Sequence, residues 1–484
     1  MAIPKQFLEK ADQKAHDQAH KHKLRYNIGK YDAKVIEGKK QYADIETAKK
    51  QAKRVKWKAI HNLDEYLLRF ESRFEKRGGK VIWANNTEEA LSAIGEIAAK
   101  HKAKTVVKSK SMATEEIELN SFLESKGITV DETDLGEYIQ QLDGEKPYHI
   151  VTPAMHKSKE DVAELFHRKL GTDINLSATE LTLVARRVLR DKYTEADIGI
   201  TGANFIVADV GGIAITENEG NARLTIGFPK VHIAIVGIEK MIPSMEDLGL
   251  FWPLLSTFGT GQELTVYNSI ITGPKQAGET DGPDEMYVVL LDNGRTQLLA
   301  EKEQREALYC IRCGACLNAC PVYKNIGGHT YDTTYSGPIG SVITPHLQGK
   351  TEFGHLSYAS SLCGSCTDVC PVKIDIHELL LLNRRDTVEE GYSDWTENLT
   401  WKAWKIGMLS RTKMNLGGAS GKNFLLRTFF KGQWGERRDL PQLAAKSFNQ
   451  QWKDKKLPTS KPSTKKKAIK NSPDKTATRT VKSN

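Results

Sequence analysis

Seven cysteines stand in this 484-residue chain, and all of them fall between Cys310 and Cys370. Thiols scattered through a core for packing do not gather in one stretch. An odd number so confined argues against a disulfide framework and for metal. The first four are spaced Cys310-x2-Cys313-x2-Cys316-x3-Cys320 and precede Pro321. A structural zinc site usually groups its ligands as two pairs, which three evenly spaced cysteines fit poorly. The other three are spaced Cys363-x2-Cys366-x3-Cys370 and precede Pro371. Laid on the first run, the second lacks its first member, and Ser360 occupies that position.

The complete run has the spacing of bacterial ferredoxins, in which three close thiolates cap three corners of an iron–sulfur cubane while the fourth ligates a neighbouring cluster. The spacing therefore predicts two clusters. The first takes Cys310, Cys313, Cys316 and Cys370; the second takes Cys320, Cys363 and Cys366. The fourth corner of the second is open to Ser360, to an imidazole such as His355 or His377, or to water. If the corner is empty, the cluster is [3Fe-4S] rather than [4Fe-4S]. Two adjacent clusters serve electron transfer. Lewis-acid catalysis at the open corner lacks an accompanying substrate constellation in the sequence.

Charge adds less than its total suggests. The net +9 combines 16 Lys+Arg against 7 Asp+Glu in residues 1–60 with 11 against 2 in residues 453–484, so the middle carries −9. The basicity belongs to two ends, and a folded nucleic-acid-binding surface is not implied. The longest apolar runs, such as Phe205–Ile215 and His232–Ile238, fall short of the roughly 20 residues that span a bilayer. The first residues lack the apolar stretch of a secretory signal, so a cytoplasmic location is expected, with peripheral contact at the inner face of the membrane as an addition.

Five segments follow. Residues 1–64 read as a basic helical arm, 65–295 as an α/β domain, 296–390 as the strand-poor cysteine segment, 391–452 as a helical segment with five of the eight tryptophans, and 453–484 as a disordered basic tail. Strands are expected at Val81–Ala84, Thr105–Val107, His149–Val151, Ile198–Thr201, Phe205–Ala208, Ile213–Thr216, His232–Val236, Leu264–Ile271 and Tyr287–Leu291. They alternate with helices such as Thr87–Lys100 and Thr179–Tyr193, the pattern of a largely parallel sheet. Ser336–Gly340 and Thr344-Pro345 read as a turn-rich connection, and Asp375–Arg385 as a helix packed on the clusters.

The combination of an α/β body, the run Cys310–Pro321, the incomplete run ending Cys370-Pro371-Val372-Lys373-Ile374 and a Trp-rich C-terminal segment resembles the lactate utilization protein B family over residues 65–450. Ser336–Thr344 and Ser361–Ile374 carry most of the resemblance. It implies a LUD-type body, similar in fold to ribose-5-phosphate isomerase and coenzyme A transferases, followed by an α-helical ferredoxin-like domain. It further implies an iron–sulfur electron carrier required for oxidation of L-lactate to pyruvate, working with two co-encoded partner proteins. The rival reading makes the body the enzyme, acting on a 2-hydroxy acid or thioester, with the clusters as redox sensor.

Ligands of open α/β sheets bind beyond the carboxyl ends of strands. Three segments qualify here. Lys108-Ser109-Lys110-Ser111-Met112 offers two ammonium groups to an anion. Thr201–Asn204 with Gly211-Gly212 offers tight turns. Glu217–Arg223 is the densest polar cluster, with Glu217 and Glu219 as candidate carboxylates, although a catalytic role would rest on fold analogy. In the C-terminal segment Trp401, Trp404 and Met408, with Lys402, Lys405 and Arg411 alongside, form a stripe that suits a partner or an anionic lipid surface.

Overall fold

A computed structural model of the protein describes residues 4–392, 395–434 and 439–454. These fall into two units, divided before Trp395. Most of the expected basic tail, from residue 455 onward, lies outside the described residues.

The first unit is built on ten strands: β1 (Lys80–Ala84), β2 (Thr105–Lys108), β3 (Thr129–Glu132), β4 (Ile198–Thr201), β5 (Phe205–Val207), β6 (Gly212–Glu217), β7 (Val231–Gly237), β8 (Met241–Ile242), β9 (Tyr267–Ile271) and β10 (Glu285–Leu291). Six form a parallel sheet in the order β1-β10-β7-β4-β2-β3. A parallel sheet is covered on both faces, so its central strands are apolar throughout rather than alternating. All seven residues of β7 are buried. Their side chains still alternate in destination: Ile233 and Ile235 join one core with Ile94, Leu119 and Leu123, whereas Ala234 and Val236 join another with Leu67, Phe70 and Phe74.

The remaining strands form a second sheet, β8-β5-β6-β9, in which β5 and β9 both run antiparallel to β6. The sequence reading found β5, β6 and β9 without separating them from the parallel sheet, and it missed β3 and β8. His149–Val151 is not a strand. The His149 ring nitrogen Nδ1 accepts from the backbone amides of Val151 and Thr152, so a local turn consumes donors that a ladder would need.

The cysteine segment is helical, with short α and 3-10 turns between Arg295 and Glu389. Ser336–Gly340 is not a connecting turn: Gly337–Gln348 is a helix, buried from Gly337 to Pro345. Pro338 in its first turn signals a helix start, because proline's missing amide would be unpaired there in any case. The helix Ile376–Glu389 follows Cys370 as expected, burying Leu379 and Leu380 in the core shared with the cysteines.

The N-terminal helices join that same core. Leu24 and Ile28 of the helix Gln18–Gly38, and Ala52 and Val55 of the helix Ile45–His61, are buried with the cysteines. Lysines finish the attachment. Lys49 Nζ donates to the carbonyl of Asp368 at 3.0 Å, Lys53 Nζ to that of Lys373 at 2.9 Å, and buried Lys56 to those of Glu239 and Met241.

The second unit consists of helices including Trp395–Met408, Gly418–Leu425 and Phe448–Lys453, none of which buries a residue. Trp401 and Trp404 meet edge to face, their ring centroids 5.7 Å apart, and both are exposed. No helix among the described residues is long and apolar enough to cross a membrane.

Candidate metal centre and adjoining cavity

The two cysteine runs repeat one backbone turn. In Cys310-Ile311-Arg312-Cys313 the third residue has φ 60°, and in Ser360-Ser361-Leu362-Cys363 the third has φ 54°; Gly314 and Gly364 follow at φ 79° and 81°. A positive φ at a bulky residue such as Arg or Leu is uncommon, and its occurrence at both places marks a constrained loop. Hydrogen bonding repeats as well. The amide of Arg312 donates to Cys310 Sγ at 3.4 Å, and that of Leu362 donates to Ser360 Oγ at 3.1 Å. Ser360 Oγ thus holds the place in the second turn that Cys310 Sγ holds in the first.

Other backbone donors aim at the sulfurs. Tyr323 N reaches Cys320 Sγ at 3.4 Å and Ile374 N reaches Cys370 Sγ at 3.3 Å. At the start of the helix Gly337–Gln348, the amide of Ile339 serves Cys316. Amides converging on sulfur stabilise thiolate and bound cluster charge.

The thiols fall into two electrostatic groups. Burial, then the Cys310 charge, push the Cys313 thiol up, with Cys370 adding to it; Cys316 feels Cys310, Cys313 and Cys370 beyond its own burial. Burial pushes Cys370 up to about 12, and Cys310 contributes. In the other group, burial and then the Cys320 charge push Cys366 up to about 11, with a contribution from Cys363; burial also raises Cys320, which feels Cys363. Cys363 is the exception: it is exposed, and hydrogen bonding with Ser365 holds its thiol below the ordinary range.

Among the described residues, no three of these sulfurs lie within 4.8 Å of one another. A tetrahedral zinc with Zn–S bonds near 2.3 Å needs sulfurs about 3.8 Å apart. The spread suits a larger polynuclear group whose irons each take one thiolate. The candidate imidazoles are otherwise engaged: His355 Nδ1 with the carbonyl of Glu352 at 2.8 Å, and His377 Nδ1 with Thr367 Oγ1 at 2.7 Å. The one group of potential ligand atoms that does crowd within 4.8 Å, among the described residues, is Glu145, His156 and His329, which the sequence reading did not single out.

A cavity of about 400 Å³ opens beyond the carboxyl ends of β2, β4 and β7, and Cys313 is part of its wall. Lys110, Glu217, Glu219, Glu239, Lys240, Arg295, Arg312 and Tyr335 also line it. A buried ion network ties this wall to the cysteine loop. Arg295 donates to both oxygens of Glu116 at 2.8–2.9 Å and through Nε to Glu239 at 2.5 Å; Arg312 reaches the other Glu239 oxygen at 3.3 Å. Burial opposes the Glu239 charge, yet Arg295 and Arg312 hold its carboxyl down at about 2.

The polar segments expected at strand ends have mixed fates. Lys108 is no anion ligand. Its ammonium is fully buried, 2.8 Å from Glu132 and 2.9 Å from Glu115. Lys110 donates to the carbonyl of Val151, and Ser111 caps its own short helix. Ser109, Gly202 and Asn204 line the cavity, whereas Gly211 packs against Arg73. Glu217 caps the helix Asn221–Gly227, accepting from Ala222 N at 2.7 Å and Arg223 N at 3.0 Å. Glu219 is held by one amide, Leu135 N at 3.1 Å, and burial followed by the Asp134 charge pushes it up to about 7.

Comparison with known proteins fits this division. Residues 67–291 match the LUD domain and residues 306–374 the 4Fe-4S dicluster domain. "Lactate utilization protein B" of Geobacillus thermodenitrificans is 47% identical over 368 residues, 76% of this chain and 77% of that protein. The chain belongs to the lactate utilization protein B family. The Bacillus thuringiensis relative of the same name is 44% identical over 408 residues, 82% of this chain and 86% of its own. A solved DUF162 family protein from Deinococcus radiodurans matches 48% of this chain and 98% of its own at 13% identity, with a TM-score of 0.28.

Proposed function

We propose that the chain is an iron–sulfur electron-transfer subunit required for oxidation of L-lactate to pyruvate. The observation that carries this reading is the duplicated turn within a 4Fe-4S dicluster domain, in a chain whose relatives are named for lactate utilization. Cys310, Cys313, Cys316 and Cys370 hold the first [4Fe-4S] cluster. Cys320, Cys363 and Cys366 hold the second, with Ser360 Oγ as its fourth ligand. The two electrostatic groups of thiols and the parallel between Ser360 and Cys310 support these assignments. When bound, the clusters supply one-electron transfer.

Around them the chain supplies amide donors to the sulfurs, a buried first site and a second site with one exposed ligand, Cys363, which favours exchange with a partner. Two co-encoded lactate utilization proteins are the proposed partners. The exposed tryptophans and basic residues of the helix Trp395–Met408 support peripheral membrane contact from the cytoplasmic side. The six-stranded parallel sheet supports the likeness of the body to ribose-5-phosphate isomerase and coenzyme A transferases.

The test is anaerobic co-purification followed by addition of L-lactate. Bleaching of cluster absorption in the complete complex is expected; clusters that stay oxidised in it would remove the lactate assignment. A second reading, with the body as the catalytic unit for a 2-hydroxy acid or thioester, draws on the cavity and on Glu219. Turnover that persists in cluster-free protein would favour it.

A further inference from the structure

The cavity wall beside the first cysteine run gathers three cations, Arg295, Arg312 and Lys240, around Glu116 and Glu239, while Lys110 and the carboxylates of Asp134, Glu217 and Glu219 line the cavity as well. Arg295 is fully used, bonded to both carboxylates. Arg312 is not. Its side chain is only 9% exposed, its Nη2 makes the single 3.3 Å contact to Glu239, and its enclosed Nη1 has no hydrogen-bond partner. Tyr335, whose ring lies 4.6 Å from the guanidinium carbon, fixes the plane of the group. Lys240 lines the same wall and its ammonium makes no hydrogen bond or ion pair among the described residues.

A buried guanidinium with an unmade hydrogen bond is costly and is retained where something completes it. The unfilled donors here belong to a planar fork and a point ammonium, in a cavity within the roughly 300–1,000 Å³ of ordinary small-ligand sites. A planar carboxylate matches those two groups in charge and, at Arg312, in shape.

We propose that this cavity binds a small organic carboxylate, its carboxylate group taken by Arg312 and Lys240 beside Cys313. The chain then holds an organic acid itself, next to its first cluster site, in addition to relaying electrons. The choice of acid rests on the lactate reading above; the site does not. The competing use of these two cations is as counter-charge for the cluster, since both also interact with Cys310.

The experiment is anaerobic titration calorimetry on the full-length, cluster-loaded, oxidised protein, with L-lactate, pyruvate and inorganic phosphate as probes. Saturable binding of lactate or pyruvate, uncompeted by phosphate, is expected. Lys240→Gln is expected to weaken it about tenfold or more while iron content and EPR spectra stay unchanged. Binding of neither acid, or tighter binding of phosphate than of either, overturns the proposal. So does a Lys240→Gln protein whose cluster potential shifts while its affinity does not. Should that variant fail to load iron, the wild type decides: pyruvate is expected to protect Lys240 from amine-directed acylation, read by peptide mass spectrometry, and unchanged labelling overturns the site. Because no turnover is involved, failure here leaves the electron-transfer reading standing, and failure of lactate to bleach the clusters leaves this site standing.

Discussion

Cys310–Cys313 and Ser360–Cys363 are two copies of one turn in opposite surroundings. The first copy lies under the α/β body, its cysteines no more than 9% exposed, with Arg312 locked to Glu239 and a cavity against Cys313. The second faces solvent at Cys363, and its first ligand position holds an oxygen. The difference teaches that backbone, not sulfur, fixes the turn. Leu362 keeps the left-handed conformation of Arg312, and the amide-to-side-chain bond survives the change of atom. Ser360 Oγ therefore replaces Cys310 Sγ within a retained loop.

The largest effect that separates the two copies is expected from Cys316→Ser. It should remove the first cluster and about four of about eight irons, with lactate-dependent growth lost while circular dichroism shows the α/β body still folded. Retention of all the iron would break the assignment of Cys316. At the second copy, Ser360→Ala should lose a single iron and bring up the EPR signal of an oxidised three-iron cluster, and Ser360→Cys should keep the full complement. If Ser360→Ala changes neither iron nor spectrum, water or another side chain completes that corner.

A smaller contrast concerns reactivity as the metal is withdrawn. Cys363 has its thiol held below the ordinary range, whereas burial raises Cys366 to about 11 and Cys370 to about 12. A lowered value means thiolate at lower pH, so iodoacetamide should reach Cys363 first, and its labelling should rise at lower pH than that of the others. Peptide mass spectrometry across pH 6–9 reads this, and simultaneous labelling would contradict it. The smallest effect is expected from Lys53→Met, which removes the hydrogen bond to the Lys373 carbonyl and the 2.8 Å contact to Glu306. A loss of about 1 kcal/mol in chemical denaturation is expected, felt at the second run before the first.

The ligand side of this comparison was legible in sequence because metal chemistry permits few residue types at few spacings. Seven cysteines and the gap at Ser360 needed no fold to be read. The cavity was only half legible. Glu217 and Glu219 stood out at a strand end, but nothing in sequence links Arg312 with Lys240, and only the fold brings Arg295 and Arg312 to Glu239. Lys108 misled for the same reason: Glu132 stands 24 residues away, and nothing local says that the lysine is buried against it. The helix Gly337–Gln348 was misread through its glycines and prolines, although Pro338 sits where a helix tolerates it.

The N-terminal helices, read from sequence as an appendage, set an order of events. Lys49 and the Asp368 carbonyl it holds are 319 residues apart. The earlier segment thus waits for 319 further residues before its partner exists, and loop closure over that separation is an entropic cost met late in folding. Those lysine bonds tie the helix Ile45–His61 to the stretch that carries Cys370.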